Sequence, residues 1–142
     1  GSPLSVGAGV TVNLTNNKAV VIESQLPQGT TTLYNGTRIT PDEALDVYSV
    51  TLTFKAKSTA HAGSFAITLD RSAAGDGSDI VYTKSASTVL AVNTEQDYSF
   101  TTTFPIDSTF KSNGGLFKIK SISGTLSLYD FSILINKVHS AL

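Results

Sequence analysis

The chain has 142 residues, ten basic and eleven acidic, with a formal net charge of −1 and no Cys, Met or Trp. That length suits one domain, which at this size buries roughly 68–70% of its unfolded surface and needs neither disulfide nor metal to hold together. The absence of Cys excludes a disulfide framework, a thiolate zinc site and a thiol nucleophile; scattered basic residues argue against nucleic-acid binding, and no apolar run is long enough for a membrane-spanning helix.

Taken in order, the opening GSPLSVGAGV has neither the charged start nor the apolar core of a secretory leader. Residues 1–9 are expected to form an extended arm of a single domain covering 1–142. VTVNL reads as a strand, Asn16-Asn17 as a turn, KAVVIES as a second strand and QLPQGTTT as a loop punctuated by Pro27 and Gly29. Thr40-Pro41-Asp42-Glu43 carries an N-cap, a proline at the first helical position and an acid at the third, so one short helical turn is expected near residues 40–46.

The middle of the chain alternates most clearly. In DVYSVTLTFKAK, Tyr48, Val50, Leu52, Phe54 and Ala56 share one face, while Ser49, Thr51, Thr53, Lys55 and Lys57 share the other. SFAITLDR repeats the pattern with Phe65, Ile67 and Leu69 inward. DIVYTK and STVLAV read as strands on either side of Ser85–Ser87. DYSFTTTF places Tyr98, Phe100 and Phe104 together and stops at Pro105. FKSNGG reads as a turn, and LFKIKSI points Phe117 and Ile119 in with Lys118 and Lys120 out.

The last strand, GTLSLYDFSILINKV, changes phase. Leu126 and Leu128 have one parity, Tyr129, Phe131 and Ile133 the other, as a β-bulge or a change of sheet requires. Phe131, Ile133 and Ile135 are assigned to the core. Leu134 and Val138, beside Ser132 and Asn136, then need a second cover, either the N-terminal segment with Val20 and Ile22 or another copy of the chain. The second option is favoured, because obligate interfaces are more apolar than ordinary surface. About eight to ten antiparallel strands of this length predict an all-β, two-sheet sandwich of jelly-roll type.

Chemistry-bearing motifs are sparse. His61 and His139 have no partner at a productive spacing. Asp70, Asp76 and Asp79 flank RSAAGDGS, which lacks the EF-hand order and reads as Asp-Gly turn chemistry. The glutamates Glu23, Glu43 and Glu95 form no paired-acid motif. Asn13-Leu14-Thr15 and Asn35-Gly36-Thr37 match a short sequon that carries little without a secretory context. No catalytic residue, metal or cofactor is expected. The solvent faces are rich in Ser and Thr (Thr51, Thr53, Thr101, Thr103) and poor in charge, which a durable assembly tolerates and a lone domain must guard.

The stretch DYSFTTTFPIDSTFKSNGGLFKIKSISGTLSLYDFSILINKVHSA resembles the closing half of small jelly rolls in tailed-phage structural proteins. The resemblance rests on Gly114, Gly115, Leu116, Phe117 and Ile119 in one strand. In the next it rests on Gly124, Leu126, Leu128, Asp130, Ile133, Ile135 and Val138. It covers about the last 50 residues and, loosely, VYSVTLTFKAKS. The resemblance implies a tumour-necrosis-factor-like jelly roll, a homotrimer or alternatively a dimer. It would be made in the host cytoplasm and seated on the outer surface of a phage capsid as a decoration or cement protein. Its partners would be its own copies and the major capsid protein. The alternative is a receptor- or carbohydrate-binding tip of a tail fibre, with Tyr34, His61 and Tyr82 as pocket candidates.

Overall fold

The structure, a computed structural model, describes residues 4–14, 33–61, 63–87 and 92–139, and the main chain alone of 22–24. The Asn16-Asn17 turn, Val20, the loop after Ser24 and most of STVLAV lie outside the described residues. In chain order the elements are β1 (Leu4–Val6), β2 (Thr11–Asn13), β3 (Ile22–Ser24), β4 (Arg38–Ile39), β5 (Val47–Ser58) and β6 (Ser64–Asp70). There follow β7 (Ile80–Ser87), β8 (Gln96–Pro105), α1 (Ser108–Asn113), β9 (Gly115–Ser121) and β10 (Leu126–His139).

The strands form two five-stranded sheets packed as a jelly-roll sandwich. In the first, the order is β1-β10-β5-β8, with β3 also pairing β10; in the second it is β2-β9-β6-β7, with β4 also pairing β9. All pairings are antiparallel except β3 with β10. Alternation in β5 and β6 is realised residue by residue: Tyr48, Val50, Phe65, Ile67 and Leu69 are wholly buried, and the intervening Ser, Thr and Lys residues face outward. Aromatic rings bridge the sheets, with Phe54 edge-on to Phe65 at 6.1 Å and Tyr98 edge-on to Phe65 at 5.2 Å between centroids.

The phase change in β10 is a bulge. Tyr129 pairs with Lys55 and Ser132 with Thr53, so three steps on β10 oppose two on β5. Asp130 takes up the extra residue at φ +53°, in the left-handed region that Asp tolerates better than most side chains. The slip lets Leu126 and Leu128 before it, and Phe131, Ile133 and Ile135 after it, all reach the core.

Several local expectations change. Leu4–Val6 of the expected arm is a strand, and Val6 is fully buried against the Leu126 end of β10. Residues 40–46 contain a turn, closed by the Asp46 N–H donating to the Glu43 carbonyl, and no helix. Leu45 has φ +72°, which breaks a helical run, and side chains take the first amide groups: Asp42 N–H donates to Tyr48 Oη and Glu43 N–H to Asp46 Oδ2. The helix lies instead in the segment read as a turn. Asp107 caps α1 by accepting the Phe110 N–H at 2.7 Å, and Gly114 ends it. Ser85–Ser87 belong to β7, which ends at Ser87.

Gly114 is held by both conformation and space. Its φ of +76° with ψ −170° is a region reserved for glycine, and an added Cβ would stand 2.5 Å from the Ile39 carbonyl oxygen. Gly114→Ala is expected to cost about 2–3 kcal/mol through strain and displacement of β4. The measurement is a urea titration in which the midpoint falls while the m-value stays constant.

Candidate functional site

The outer face of the first sheet is a block of uncharged rows. Leu134, Thr51 and Thr101 lie side by side across β10, β5 and β8; so do Ser132, Thr53 and Ser99, and Asn136, Ser49 and Thr103. Hydroxyls join across the strands, Thr51 with Thr101 at 2.9 Å and Thr53 with Ser132 at 2.7 Å. Asn136 Oδ1 is buried and makes no hydrogen bond. Among the described residues of β5, β8 and β10, charge returns past the bulge, where Lys55, Asp97 and Asp130 border a depression of about 280 Å³ and Lys57 Nζ stands 5.5 Å from the centre of the Tyr129 ring.

The four interface candidates therefore share one face but differ in exposure. Ser132 is nearly buried, Leu134 and Asn136 are half-buried, and Val138 is 53% exposed. The chain itself partly covers Leu134, so the bare apolar area there is smaller than the sequence suggests. Phe131, Ile133 and Ile135 lie in the core cluster on the opposite face.

Two charge clusters tie loops to the sandwich. At the end of β10, the Lys137 side chain is 3% exposed, and its Nζ pairs with Asp42 at 2.9 Å and with fully buried Asp46 at 3.0 Å. Burial alone would lower the Lys137 pKa, but the two carboxylates outweigh burial and hold it above its ordinary value. Burial pushes the neighbouring Tyr48 hydroxyl up to about 12.

The second cluster fastens loop 71–79. Asp70 is fully buried and accepts the Ser72 N–H at 2.9 Å and the Gly77 N–H at 2.8 Å; Lys118 Nζ lies 3.4 Å away and also donates to the Gly75 carbonyl. Lys118, expected outside, is thus buried beneath the folded loop. Burial would raise the Asp70 pKa, yet Ser72, Gly77 and Lys118 together bring it to about 2. Arg71 joins Asp79 at 2.8 Å and Asp107, while Arg38 donates to the Ser72 and Asn113 carbonyls. These acids anchor main chain and cations, and among the described residues no group of three or more His, Asp or Glu could hold a metal ion.

The pocket candidates do not converge. Tyr34 is a core residue bridged to Ile39, and burial moves its hydroxyl up to about 12. His61 is exposed in the loop before β6, and Tyr82 is paired with Leu69 at the other end of that strand.

The sequence also did not reveal an open flank. β7 and β8 are the edges of their respective sheets on the same side of the sandwich. Between them lies a crevice of about 390 Å³ lined by Leu69, Val81, Tyr82, Thr102, Phe104 and Phe110, among others. Tyr98, Phe100 and Phe104, the inward row of β8, are only half-buried, and Phe104 lines the crevice.

This architecture has a counterpart among solved structures. A chain in the crystal structure of the T13 IBDV viral particle superposes with a TM-score of 0.51 at 16% sequence identity, over 97% of this chain and 29% of that one. The likeness is one of fold: the same sandwich occurs within that longer chain. The present chain thus spans less than a third of that neighbour's length. No family model matches the sequence, and no curated protein matches it.

Proposed function

We propose that this jelly roll is a non-enzymatic virion structural protein, a decoration or cement protein that binds the major capsid protein on the outer surface of a phage head. The observation that carries the reading is the uncharged Ser/Thr face of β5, β8 and β10, set on a sandwich whose fold is that of a viral-particle chain. A face of paired hydroxyls can be buried without stranding a charge, and its spare donors and acceptors can be met by an apposed main chain. Copies of the chain are further partners in this reading, with Val138 and Leu134 at the contact. The mechanism is linkage: a protein that binds only the assembled shell stabilises it, by about 2.7 kcal/mol per site at a hundred-fold excess over Kd.

The test mixes the chain with undecorated phage shells. Co-sedimentation and a higher heat-disruption temperature are expected, and a V138E variant, altered at an exposed position, should bind more weakly. Shells that neither retain the protein nor gain heat resistance would overturn the reading.

A groove favours the second reading, a receptor- or carbohydrate-binding tip. Over the outer face of the second sheet, Val12, Ala66, Thr68, Asp76, Lys118 and Lys120 border about 550 Å³. Glycan binding without affinity for shells would select that function instead.

A further inference from the structure

The two edge strands of the open flank are not equivalent. β7 carries Lys84 opposite Ile67, on the face that looks into the sandwich, and an inward-directed charge on an edge strand deters pairing with another strand. β8 has no such guard. It pairs with β5 over ten positions on one side, has no strand neighbour among the described residues on the other, and carries no charge from Tyr98 to Pro105.

We propose that the free edge of β8 pairs antiparallel with the β8 of a second copy, about a two-fold axis through Thr101. A register centred on a residue keeps inward rows against inward rows and outward rows against outward rows, as continuation of a pleated sheet requires. Centring on Thr101 sets Tyr98 of one copy opposite Phe104 of the other, joining side chains that the single chain leaves half-covered. It also sets each Asp97, the only charge on the strand, opposite a Pro105. The two carboxylates are then eight positions apart, about 27 Å, so no like charges meet across the pair. Lys84 remains in solvent, and β7 does not extend the second sheet across the axis. The contact is distinct from the 132–138 patch, and it stands whether or not the chain binds shells.

Sedimentation equilibrium of the full chain tests it. The wild type should form dimers. T101K and T101E place like charges against each other at the axis, and each should weaken dimerisation by about ten-fold or more, about 1.4 kcal/mol. An equimolar mixture of the two should recover it. The double variant S99K/T103E sets opposite charges across the same register twice and should dimerise more tightly than wild type, a gain that a folding defect cannot mimic. A monomeric wild type, a trimer, single variants that associate like wild type, a mixture that stays monomeric, or an S99K/T103E variant no tighter than wild type would each overturn the two-fold pairing.

Discussion

Replacing Lys137 by Met should remove about 3–5 kcal/mol of stability, because it leaves the Asp46 carboxylate buried without its cation. Asp46 is fully buried, and Lys137 Nζ reaches it at 3.0 Å while also holding Asp42. The pair fastens residues 42–46 to the end of β10, and the same turn is stitched to Ile106 by two main-chain hydrogen bonds, from Leu45 N–H and to the Asp46 carbonyl. Loss of the cation should therefore loosen the passage from β8 into α1 as well. The check is equilibrium denaturation of K137M beside K137M/D46N. Neutralising the stranded acid should return at least half of the loss, and a K137M cost below about 1 kcal/mol would mean that the carboxylate finds water. The sign with pH follows from the raised Lys137 pKa. The contribution is complete below lysine's ordinary 10.5 and is lost only as pH climbs through the raised value.

Asp70 should act at the opposite end of the pH scale. Its carboxylate stabilises the fold fully above the ordinary value of 3.8 and loses that contribution as pH falls through about 2. D70A is expected to cost about 3 kcal/mol at neutral pH, because two main-chain N–H groups and Lys118 lose their acceptor together. D70N keeps the shape and one acceptor oxygen. It should cost less, and it should flatten the acid limb of the stability curve between those two pH values. Thermal unfolding of wild type and D70N across that range separates the outcomes: parallel curves would show that other carboxylates govern acid unfolding. Hydrogen exchange should quicken at both Ser72 and Gly77 in D70A, and at one of the two in D70N, because their amides use different carboxylate oxygens.

Much of the sandwich was legible because burial on one face imposes a period of two. β5, β6 and β8 follow their apolar alternation, and the slip after Leu128 shows in the sequence as a change of parity, whose cause is a left-handed Asp130. Features that depend on distant residues were not legible. Lys118 alternates like an outward residue, and only the return of Gly75, 43 positions away in sequence, buries it. The helix at 108–113 was hidden because six residues are too few to show a period, although Asp107 and Gly114 are ordinary cap residues. Conversely, Thr40 and Glu43 carry a helix-start pattern that buried Asp46 and Tyr48 override by claiming the same amides. The open flank had no signature at all. A strand alternates identically with one neighbour or two, so the edge position of β8 is set by topology alone. For the same reason Leu134, apolar and on the solvent face, overstated its own exposure.

The pairing order carries a kinetic consequence. Among the described strands, β1 and β3 pair with β10, and β2 and β4 with β9. On a ribosome, the first four strands emerge long before any mate exists, while β5 through β8 can already form hairpin-like contacts among themselves. Closure must wait for residues 115–139, which hold β9 and β10, to leave the exit tunnel. Such distant matings slow the search for the native state. A nascent chain arrested before Gly115 should remain open to proteases at its front end, however well its middle has condensed.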